Sequence, residues 1–418
     1  MEISTLYKIY KSNPKICTDT RKIEKGEMFF ALKGENFNGN KFATKAISDG
    51  CSFAIIDEKQ YCTSNKCILV ENVLETLQNL AKHHRQQLSI PIVGITGSNG
   101  KTTSKELIYS VLNSEINCYA TKGNLNNHIG VPLSILEITN EYEIAIIEMG
   151  ANHEGEIKFL CDIAKPTHGV ITNIGIAHLE GFKSPTGVIN AKNELYQYID
   201  KNKGTAFVNS DDQLLLDLSE SITRITYGNN GFFQGTTTTN TPYLSIKFNT
   251  TEMNSKLIGE YQFSNIMLAI CIGKNFNVKN ANIKHAIENY TPKNNRSEIF
   301  QTNDNMLILD AYNANPSSMK AMITSFSRQD YDNKLCILGD MLELGKYTID
   351  EHAAILNLVE TLNLEVFLIG KEFSKICKKA FKDRNEFELF LKSNPIKNKT
   401  ILLKGSRGIS LEKLTKYL

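Results

Sequence analysis

The stretch Gly94-Ile-Thr-Gly97-Ser-Asn-Gly100-Lys101-Thr102-Thr103 decides the fold of this 418-residue chain. It leaves an apolar run, Ile92–Thr96, and enters a helical pattern, Lys101–Leu112. Strand, glycine turn and helix are the context that a nucleotide-binding P-loop requires. Glycines let backbone N–H groups turn toward phosphate oxygens, the lysine adds a point charge, and the threonine hydroxyl can hold Mg²⁺.

The loop therefore predicts a site for the phosphates of a nucleotide. Its spacing departs from the general pattern, because Ile95 stands where the first glycine is expected and Gly94 lies one residue further back. The alternative is a glycine-rich turn beside a surface lysine. The predicted phosphate contacts are Thr96, Gly97, Ser98, Asn99, Gly100, Lys101, Thr102 and Thr103.

The pattern around the loop predicts an α/β protein of three domains. Apolar runs at residues 144–149 and 169–174 alternate with helical segments, which is typical of a mainly parallel sheet covered on both faces. A threonine-rich, β-prone stretch at residues 236–248 indicates an extra antiparallel piece. We assign these segments to a central P-loop domain, residues 88–292.

The flanking regions predict one domain each. Residues 1–87 mix short apolar runs with turn clusters, which indicates a small α/β domain. Residues 293–418 alternate regularly between strands and helices, which predicts an open, doubly wound, Rossmann-like fold. Ligands of such sheets bind beyond the carboxyl ends of the strands, so chemistry is expected in the loops after Asp310, Leu338 and Leu403.

Composition excludes several classes of protein. A formal net charge of +2 gives no polybasic footprint, so we expect no nucleic-acid partner. No apolar run approaches the roughly 20 residues that cross a bilayer, and the first residues lack the apolar core of a secretory signal. The nine cysteines are scattered without a C-x-x-C pair, so neither a zinc site nor a disulfide framework is indicated. We expect a cytoplasmic protein with no membrane span.

Two polar residues that follow buried runs are candidate metal ligands. Glu148 ends the run at residues 144–149, where its carboxylate would project toward the phosphate loop. His178 follows the run at residues 169–174. A hard cation that bridges phosphates prefers oxygen ligands such as a carboxylate. Taken alone, a solvated strand-end acid and a structural histidine are the alternatives.

The loop Gly97-Ser-Asn-Gly-Lys-Thr-Thr103 and the order of the motifs after it resemble the Mur ligase family, over nearly the whole chain. The resemblance implies an ATP-dependent, amide-bond-forming ligase. It also implies that Lys192 is N6-carboxylated by CO₂ and holds Mg²⁺ together with Thr102, Glu148 and His178. The catalytic residues it implies are Lys101, Lys192, His178 and Asn126, the last from a loop that approaches the γ-phosphate.

The resemblance also assigns the substrate ends. Thr18-Asp-Thr-Arg21 and the segment up to Gly34 are similar to the part of Mur ligases that binds the UDP-sugar. Without the resemblance, Arg21 and Lys33 would be interpreted as ordinary surface charges. The implied UDP-sugar contacts are Thr20, Arg21, Lys33, Gly34 and Asn36. The implied base and ribose contacts are Asn265, Arg296, Asp310, Tyr312 and Asn313, and those to the amine substrate are Asn315, Lys404, Ser406 and Arg407.

One motif selects a branch of the family. Asp310-Ala-Tyr-Asn-Ala-Asn-Pro316 resembles the branch that adds D-alanyl-D-alanine to a UDP-muramoyl tripeptide in peptidoglycan precursor synthesis. The family often has His-Asn where this chain has Tyr261-Gln262, which affects the expected base contact. The alternatives are a related ligase that adds the third amino acid or folate glutamates, a P-loop NTPase switch, and a non-catalytic nucleotide-sugar module. We expect a monomer with small-molecule substrates.

Overall fold

The computed structural model describes residues 1–293 and 295–418. It is an α/β structure with three main parallel or mostly parallel sheets, as the sequence predicted. In the described part of the chain, no helix is both long and apolar enough to cross a bilayer.

The N-terminal region forms a small parallel sheet, in the order β1-β2-β5-β6, with a separate hairpin of β3 and β4. The last helix, α3, starts at an Asn72 cap whose side chain accepts from the Glu75 N–H. It packs against two helices that cover the central sheet, Gly130–Leu136 and Glu156–Ala164, as well as against its own region. The elements are α1 (Ile3–Ser12), β1 (Ile16–Cys17), β2 (Met28–Phe30), β3 (Lys33–Gly34), β4 (Phe37–Asn38), α2 (Ala43–Ser48), β5 (Phe53–Ile56), β6 (Cys67–Leu69) and α3 (Val73–Gln86).

The central sheet has nine strands, in the order β15-β14-β13-β12-β11-β10-β7-β9-β8. The strands from β8 to β13 are parallel, and β14 and β15 continue the sheet in antiparallel fashion, which confirms the predicted extra piece. Its strands are β7 (Ile92–Thr96), β8 (Cys118–Ala120), β9 (Ile144–Glu148), β10 (His168–Ile171), β11 (Thr205–Asn209), β12 (Thr223–Gly228), β13 (Phe233–Thr239), β14 (Ser245–Phe248) and β15 (Thr251–Asn254).

Helices cover both faces of the central sheet, and this explains why its strands are apolar throughout. All five residues of β7 are buried, because each face of a doubly covered parallel sheet packs against helices. α10 packs along α4 and is buried along most of its length. The helices are α4 (Lys101–Leu112), α5 (Gly130–Leu136), α6 (Glu156–Ala164), α7 (Leu179–Phe182), α8 (Pro185–Lys201), α9 (Gln213–Leu218), α10 (Gln262–Asn275) and α11 (Asn280–Asn289).

The C-terminal sheet has the order β16-β17-β20-β18-β19. Four strands are parallel, and β16 adds an antiparallel edge that the sequence did not predict. The predicted alternation of strands and helices in this region is confirmed. The elements are β16 (Glu298–Gln301), β17 (Met306–Asp310), α12 (Pro316–Arg328), β18 (Lys334–Gly339), α13 (Thr348–Thr361), β19 (Glu365–Ile369), α14 (Lys371–Ile376), α15 (Arg384–Ser393) and β20 (Thr400–Lys404).

Candidate active site

Three neighbouring strand tips of the central sheet meet at the glycine loop. β7 lies between β10 and β9, with Thr96 paired to Ile171 and Ile95 paired to Glu148. Parallel strands end at the same edge of a sheet, so the loops that follow them lie together. The phosphate loop, the Glu148 carboxylate and the segment that leads to His178 therefore share one edge.

Two glycines of the loop are required by its backbone geometry. Gly97 has φ +143°, and a Cβ built there would lie 2.0 Å from Oγ1 of Thr172. Gly100, the residue before α4, has φ +77°, and its Cβ would lie 2.8 Å from Oδ1 of Asn265. Glycine adopts these conformations without strain and leaves this space free. The backbone N–H groups of the loop can therefore approach a phosphate closely.

Side chains that follow β10 hold the loop in shape. Oγ1 of Thr172 donates to the Asn99 carbonyl over 2.6 Å, and the Asn99 N–H donates to Oδ1 of Asn173 over 3.1 Å. Nζ of Lys101 folds back on the Gly97 carbonyl at 2.6 Å, and burial lowers the pKa of Lys101. The loop is thus fixed by its neighbours before any ligand binds.

Glu148 is a buried carboxylate with three partners. Its oxygens accept from Oγ1 of Thr102 at 3.1 and 3.2 Å and from Nδ2 of Asn126 at 2.9 Å. The ammonium of Lys105 forms an ion pair with it at 3.4 Å. An ionised carboxylate is stable in such a place only when it is paired and hydrogen-bonded. The predicted ligands Thr102 and Glu148 therefore lie together, next to the predicted catalytic Asn126.

Lys192 lies beneath the same edge. Its side chain is fully buried on α8, with Nζ 3.4 Å from the Ala151 carbonyl and 5.1 Å from the Phe182 ring. Burial, and then the charge of Lys101, lower the pKa of Lys192 to about 7. An amine with this pKa is largely neutral at pH 8, and the neutral form is the one that can react with CO₂.

These donors fit a Mg²⁺ ion that is shared with phosphate oxygens. Among residues 1–293 and 295–418, no three His, Cys, Asp or Glu side chains converge to hold a metal ion. Mg²⁺ usually keeps several waters and binds one or two carboxylates together with substrate phosphates, so it needs no all-protein cage. Glu148 and the Thr102 hydroxyl supply oxygen donors of this kind beside the phosphate loop.

The C-terminal sheet supplies the opposite wall of the site. Nδ2 of Asn315 donates to Oδ1 of Asn99 at 2.8 Å, and the Ile176 N–H donates to Oγ of Ser317 at 2.8 Å. Asn315 is also the N-cap of α12: it immediately precedes Pro316, the first residue of the helix, and forms a capping box with Ser318. The capping box therefore fixes the position of Asn315, which contacts the phosphate loop from the C-terminal sheet.

A cavity of about 930 Å³ separates the two walls. Its volume lies in the range of small-molecule and cofactor sites. The site candidates that line it are Ser98, Asn99, Gly100, Lys101, Thr102, Thr103, Asn126, Glu148, His178, Asn265, Arg296, Asp310, Tyr312, Asn313, Asn315 and Lys404.

Comparison with known proteins assigns this fold and site to a family. Residues 95–273 match the model of the Mur ligase middle domain, and residues 295–407 match that of the Mur ligase glutamate ligase domain. The UDP-N-acetylmuramoyl-tripeptide–D-alanyl-D-alanine ligase of Bacillus subtilis is 34% identical over 96% of this chain and 92% of its own. The chain belongs to the Mur ligase family.

Solved Mur ligase structures agree over the full length. MurF from Acinetobacter baumannii superposes with a TM-score of 0.86 at 30% identity, covering 96% of this chain and 92% of that one. The MurF ligase of Thermotoga maritima, solved in complex with ADP, gives a TM-score of 0.83 at 26% identity over 97% of each chain. The family resemblance read from the motifs is thus confirmed, while the roles of single residues stay predictions.

Several predicted residues lie outside the lining of the cavity. Thr96, Gly97 and Lys192 are not among its lining residues. The Ser406 hydroxyl is held by the protein itself, donating to the Ala314 carbonyl at 3.3 Å and accepting from the Leu342 N–H at 2.9 Å. The guanidinium carbon of Arg407 lies 5.4 Å from the centre of the Tyr312 ring. The guanidinium of Arg296 stacks on the same ring, with its carbon 3.7 Å from the ring centre.

The predicted UDP-sugar residues form a separate group in the N-terminal region. Arg21 is exposed and paired to Asp19, an interaction that lowers the pKa of Asp19 to about 2. Lys33 is paired to Asp57 at 2.9 Å and to Glu58 at 3.0 Å. None of Thr20, Arg21, Lys33, Gly34 and Asn36 lines the central cavity. Each of the two cations is therefore neutralised by acids of its own region.

The sequence marked Tyr261 and Gln262 only as a departure from the family pattern, but both line the cavity, and Oε1 of Gln262 accepts from Nδ2 of Asn265 at 2.7 Å. Sequence reasoning missed Lys105, which pairs with Glu148. It lies four residues after Lys101 on α4, a spacing that places both ammonium groups on the same face of the helix. That spacing was the available signal, but it does not reveal that Lys105 is buried.

We predict that Lys105→Met destabilises the protein by about 3 kcal/mol, because it leaves the buried Glu148 carboxylate without its countercharge. Methionine keeps most of the side-chain volume, so packing changes little. Thermal unfolding of both proteins, followed by calorimetry, measures the difference.

Lys122→Met is the matched control, since Lys122 pairs with Glu137 at the surface and its side chain is 70% exposed, against 4% for Lys105. We expect Lys122→Met to lower the free energy of unfolding by less than about 1 kcal/mol, because this ion pair is exposed. Equal losses in the two variants would contradict the role given to Lys105.

Proposed function

We propose that this chain is an ATP-dependent ligase that joins the terminal carboxylate of UDP-N-acetylmuramoyl tripeptide to the amine of D-alanyl-D-alanine, a step of peptidoglycan precursor synthesis. The observation that carries the proposal is the cavity in which the P-loop and the Glu148 carboxylate face polar residues of the C-terminal sheet. The B. subtilis relative carries the same activity in its name.

The phosphates of ATP would bind at the turn of residues 97–103. Backbone N–H groups and the N-terminus of α4 offer positive potential there, which suits an anion. Lys101 would leave the Gly97 carbonyl and contact the phosphates instead. Asn265, Arg296, Asp310, Tyr312 and Asn313 would contact the base and ribose.

Thr102 and Glu148, with His178 nearby, would hold Mg²⁺. When bound, the ion neutralises developing charge on the transferred phosphoryl group. Asn126 would keep its amide on Glu148 and orient the carboxylate. Lys192, once N6-carboxylated, would turn a buried amine into an anion on the same side of the cavity.

The reaction would run in two steps. The tripeptide carboxylate attacks the γ-phosphorus, the bond to the bridging oxygen breaks, and ADP leaves with that electron pair. The amine of the dipeptide then attacks the acyl carbon, phosphate leaves, and the nitrogen loses a proton. Catalysis of this kind depends on positioning and electrostatics, which are what the fixed loop and the paired charges supply.

The contacts to the UDP-sugar and to the amine substrate are proposed from the Mur ligase motifs. The UDP-sugar would bind the N-terminal region through Thr20, Arg21, Lys33, Gly34 and Asn36, and the two cations would exchange protein carboxylates for ligand groups. The amine substrate would meet Asn315 and Lys404, with Ser406 and Arg407 behind them. We further propose domain boundaries near residues 87 and 293 and a monomer that acts in the cytoplasm.

A product assay tests the activity. We expect phosphate release from ATP that requires both UDP-muramoyl tripeptide and D-alanyl-D-alanine, with the pentapeptide product seen by mass spectrometry. Release without the dipeptide, at a rate equal to that of the complete mixture, would indicate an NTPase switch and contradict the proposal.

The low pKa of Lys192 predicts a CO₂ dependence with a definite sign. Below pH 7 the amine is protonated and does not react, and above pH 7 it is neutral and does. In enzyme depleted of CO₂, bicarbonate should therefore restore activity far more at pH 8 than at pH 6. Lys192→Ala should lower kcat by about 100-fold, the upper end for lost support of a metal site.

Lys201→Ala is the control for this prediction, because Lys201 is an exposed lysine at the end of the same helix. It should keep full activity. A fully active Lys192→Ala enzyme would remove the carboxylated lysine from the mechanism while leaving the ligase activity itself unaffected.

A further inference from the structure

The C-terminal domain reaches back to His178 through one loop. Residues 340–345 follow β18, and the carboxylate of Glu343 forms a hydrogen bond with Nδ1 of His178. The backbone carbonyl of Glu343 accepts from the Glu180 N–H at 3.1 Å. Gly345 packs against the same segment, near the Cα of Glu180. This loop thus contacts the central domain through both a side chain and the backbone.

The loop is held rigidly enough to aim a side chain. Asp340 accepts from the N–H groups of Glu372 and Phe373, each at 2.9 Å. The Met341 N–H donates to Nε2 of His352 at 3.1 Å, and the Leu342 N–H donates to Oγ of Ser406 at 2.9 Å. Every residue between β18 and Glu343 is therefore tied to the body of the C-terminal domain.

Both partners occupy backbone conformations that nonglycine residues adopt rarely. His178 has φ +51° and Glu343 has φ +64°. Such conformations cost of order 1 kcal/mol or more and persist where the surroundings determine them. Here each backbone turn aims its side chain at the other domain.

The bond to Nδ1 determines what His178 can do. An imidazole held at Nδ1 by a carboxylate has its orientation and tautomer fixed, and Nε2 is left as the group for a ligand. His178 lines the cavity that also holds Lys101 and Glu148. Its ring is therefore oriented by a residue that belongs to a different domain.

The pair contributes little to stability. The side chains of His178 and Glu343 are 22% and 54% exposed, and partly exposed ion pairs contribute about 0–1 kcal/mol. Removing Glu343 should leave the protein folded. Its effect on ligand binding can therefore be measured separately from its effect on stability.

We propose that Glu343 is a positioning residue that orients His178 toward the metal and γ-phosphate only when the C-terminal domain is docked. This inference rests on the proposed function, because it gives His178 a role at the phosphate end of the cavity. Docking of the C-terminal domain would then complete the metal site as well as close the cavity.

The test is a double-mutant cycle on metal affinity. Mn²⁺ serves as the probe, titrated into the full-length protein saturated with ADP and followed by electron paramagnetic resonance. Glu343→Ala should weaken Mn²⁺ binding by about 10- to 100-fold, as loss of a supporting carboxylate does. Glu343→Gln should weaken Mn²⁺ binding less than Glu343→Ala does, because the amide oxygen of the glutamine can still accept a hydrogen bond from Nδ1–H of His178.

The decisive comparison is with His178→Ala. If Glu343 acts through His178, adding Glu343→Ala to the His178→Ala variant should not weaken Mn²⁺ binding any further. The effects of two substitutions that remove the same interaction do not add. Glu360→Gln is the control, an exposed glutamate on α13 that should change nothing. Additive losses, or unchanged Mn²⁺ affinity in Glu343→Ala, would overturn the proposal.

This experiment separates the inference from the proposed function. Wild-type protein that forms no amide product yet shows the non-additive cycle would reject the ligase activity and keep the role of Glu343. Wild-type protein that forms the product, with additive losses of Mn²⁺ affinity, would do the reverse.

Discussion

A carboxylate buried at a strand tip is the constraint on which the rest of the site depends. Glu148 is 1% exposed, and a charge so placed requires partners that also satisfy its lone pairs. Those partners are Thr102 and Lys105 from the P-loop helix and Asn126 from the loop after β8. The contacts that stabilise the buried charge also align the phosphate loop with the proposed metal ligand. Folding of the central domain therefore assembles both together.

The second domain completes what the first begins. Asn315 and Ser317, at the start of α12, bond to the phosphate loop and to the segment after β10. The loop that carries Glu343 contacts the same segment near His178. These three contacts between the domains are hydrogen bonds between polar groups. Closure of the two domains around substrates would exclude water and so protect an acyl phosphate from hydrolysis.

Much of the fold was predictable, because its signals are local. Periodicity and turn residues gave the strands and helices around Lys101, and the parallel order placed Glu148 at the correct edge. The burial of Lys105 and Lys192 was not predictable, since spacing alone does not say which lysine of a helix faces the interior of the domain. The contact between His178 and Glu343 joins residues 165 positions apart, and no local pattern encodes it. The Mur ligase motifs supplied roles, but not partners.

We propose that the glycine loop binds a triphosphate beside a metal site built from adjacent strand tips. A crystal structure of the protein with Mg²⁺ and a non-hydrolysable ATP analogue would show both sites. We expect the β- and γ-phosphates on the N–H groups of residues 97–103, Lys101 turned onto them, and the ion between the phosphates, Thr102 and Glu148. A nucleotide bound elsewhere, with Lys101 still on the Gly97 carbonyl, would contradict it.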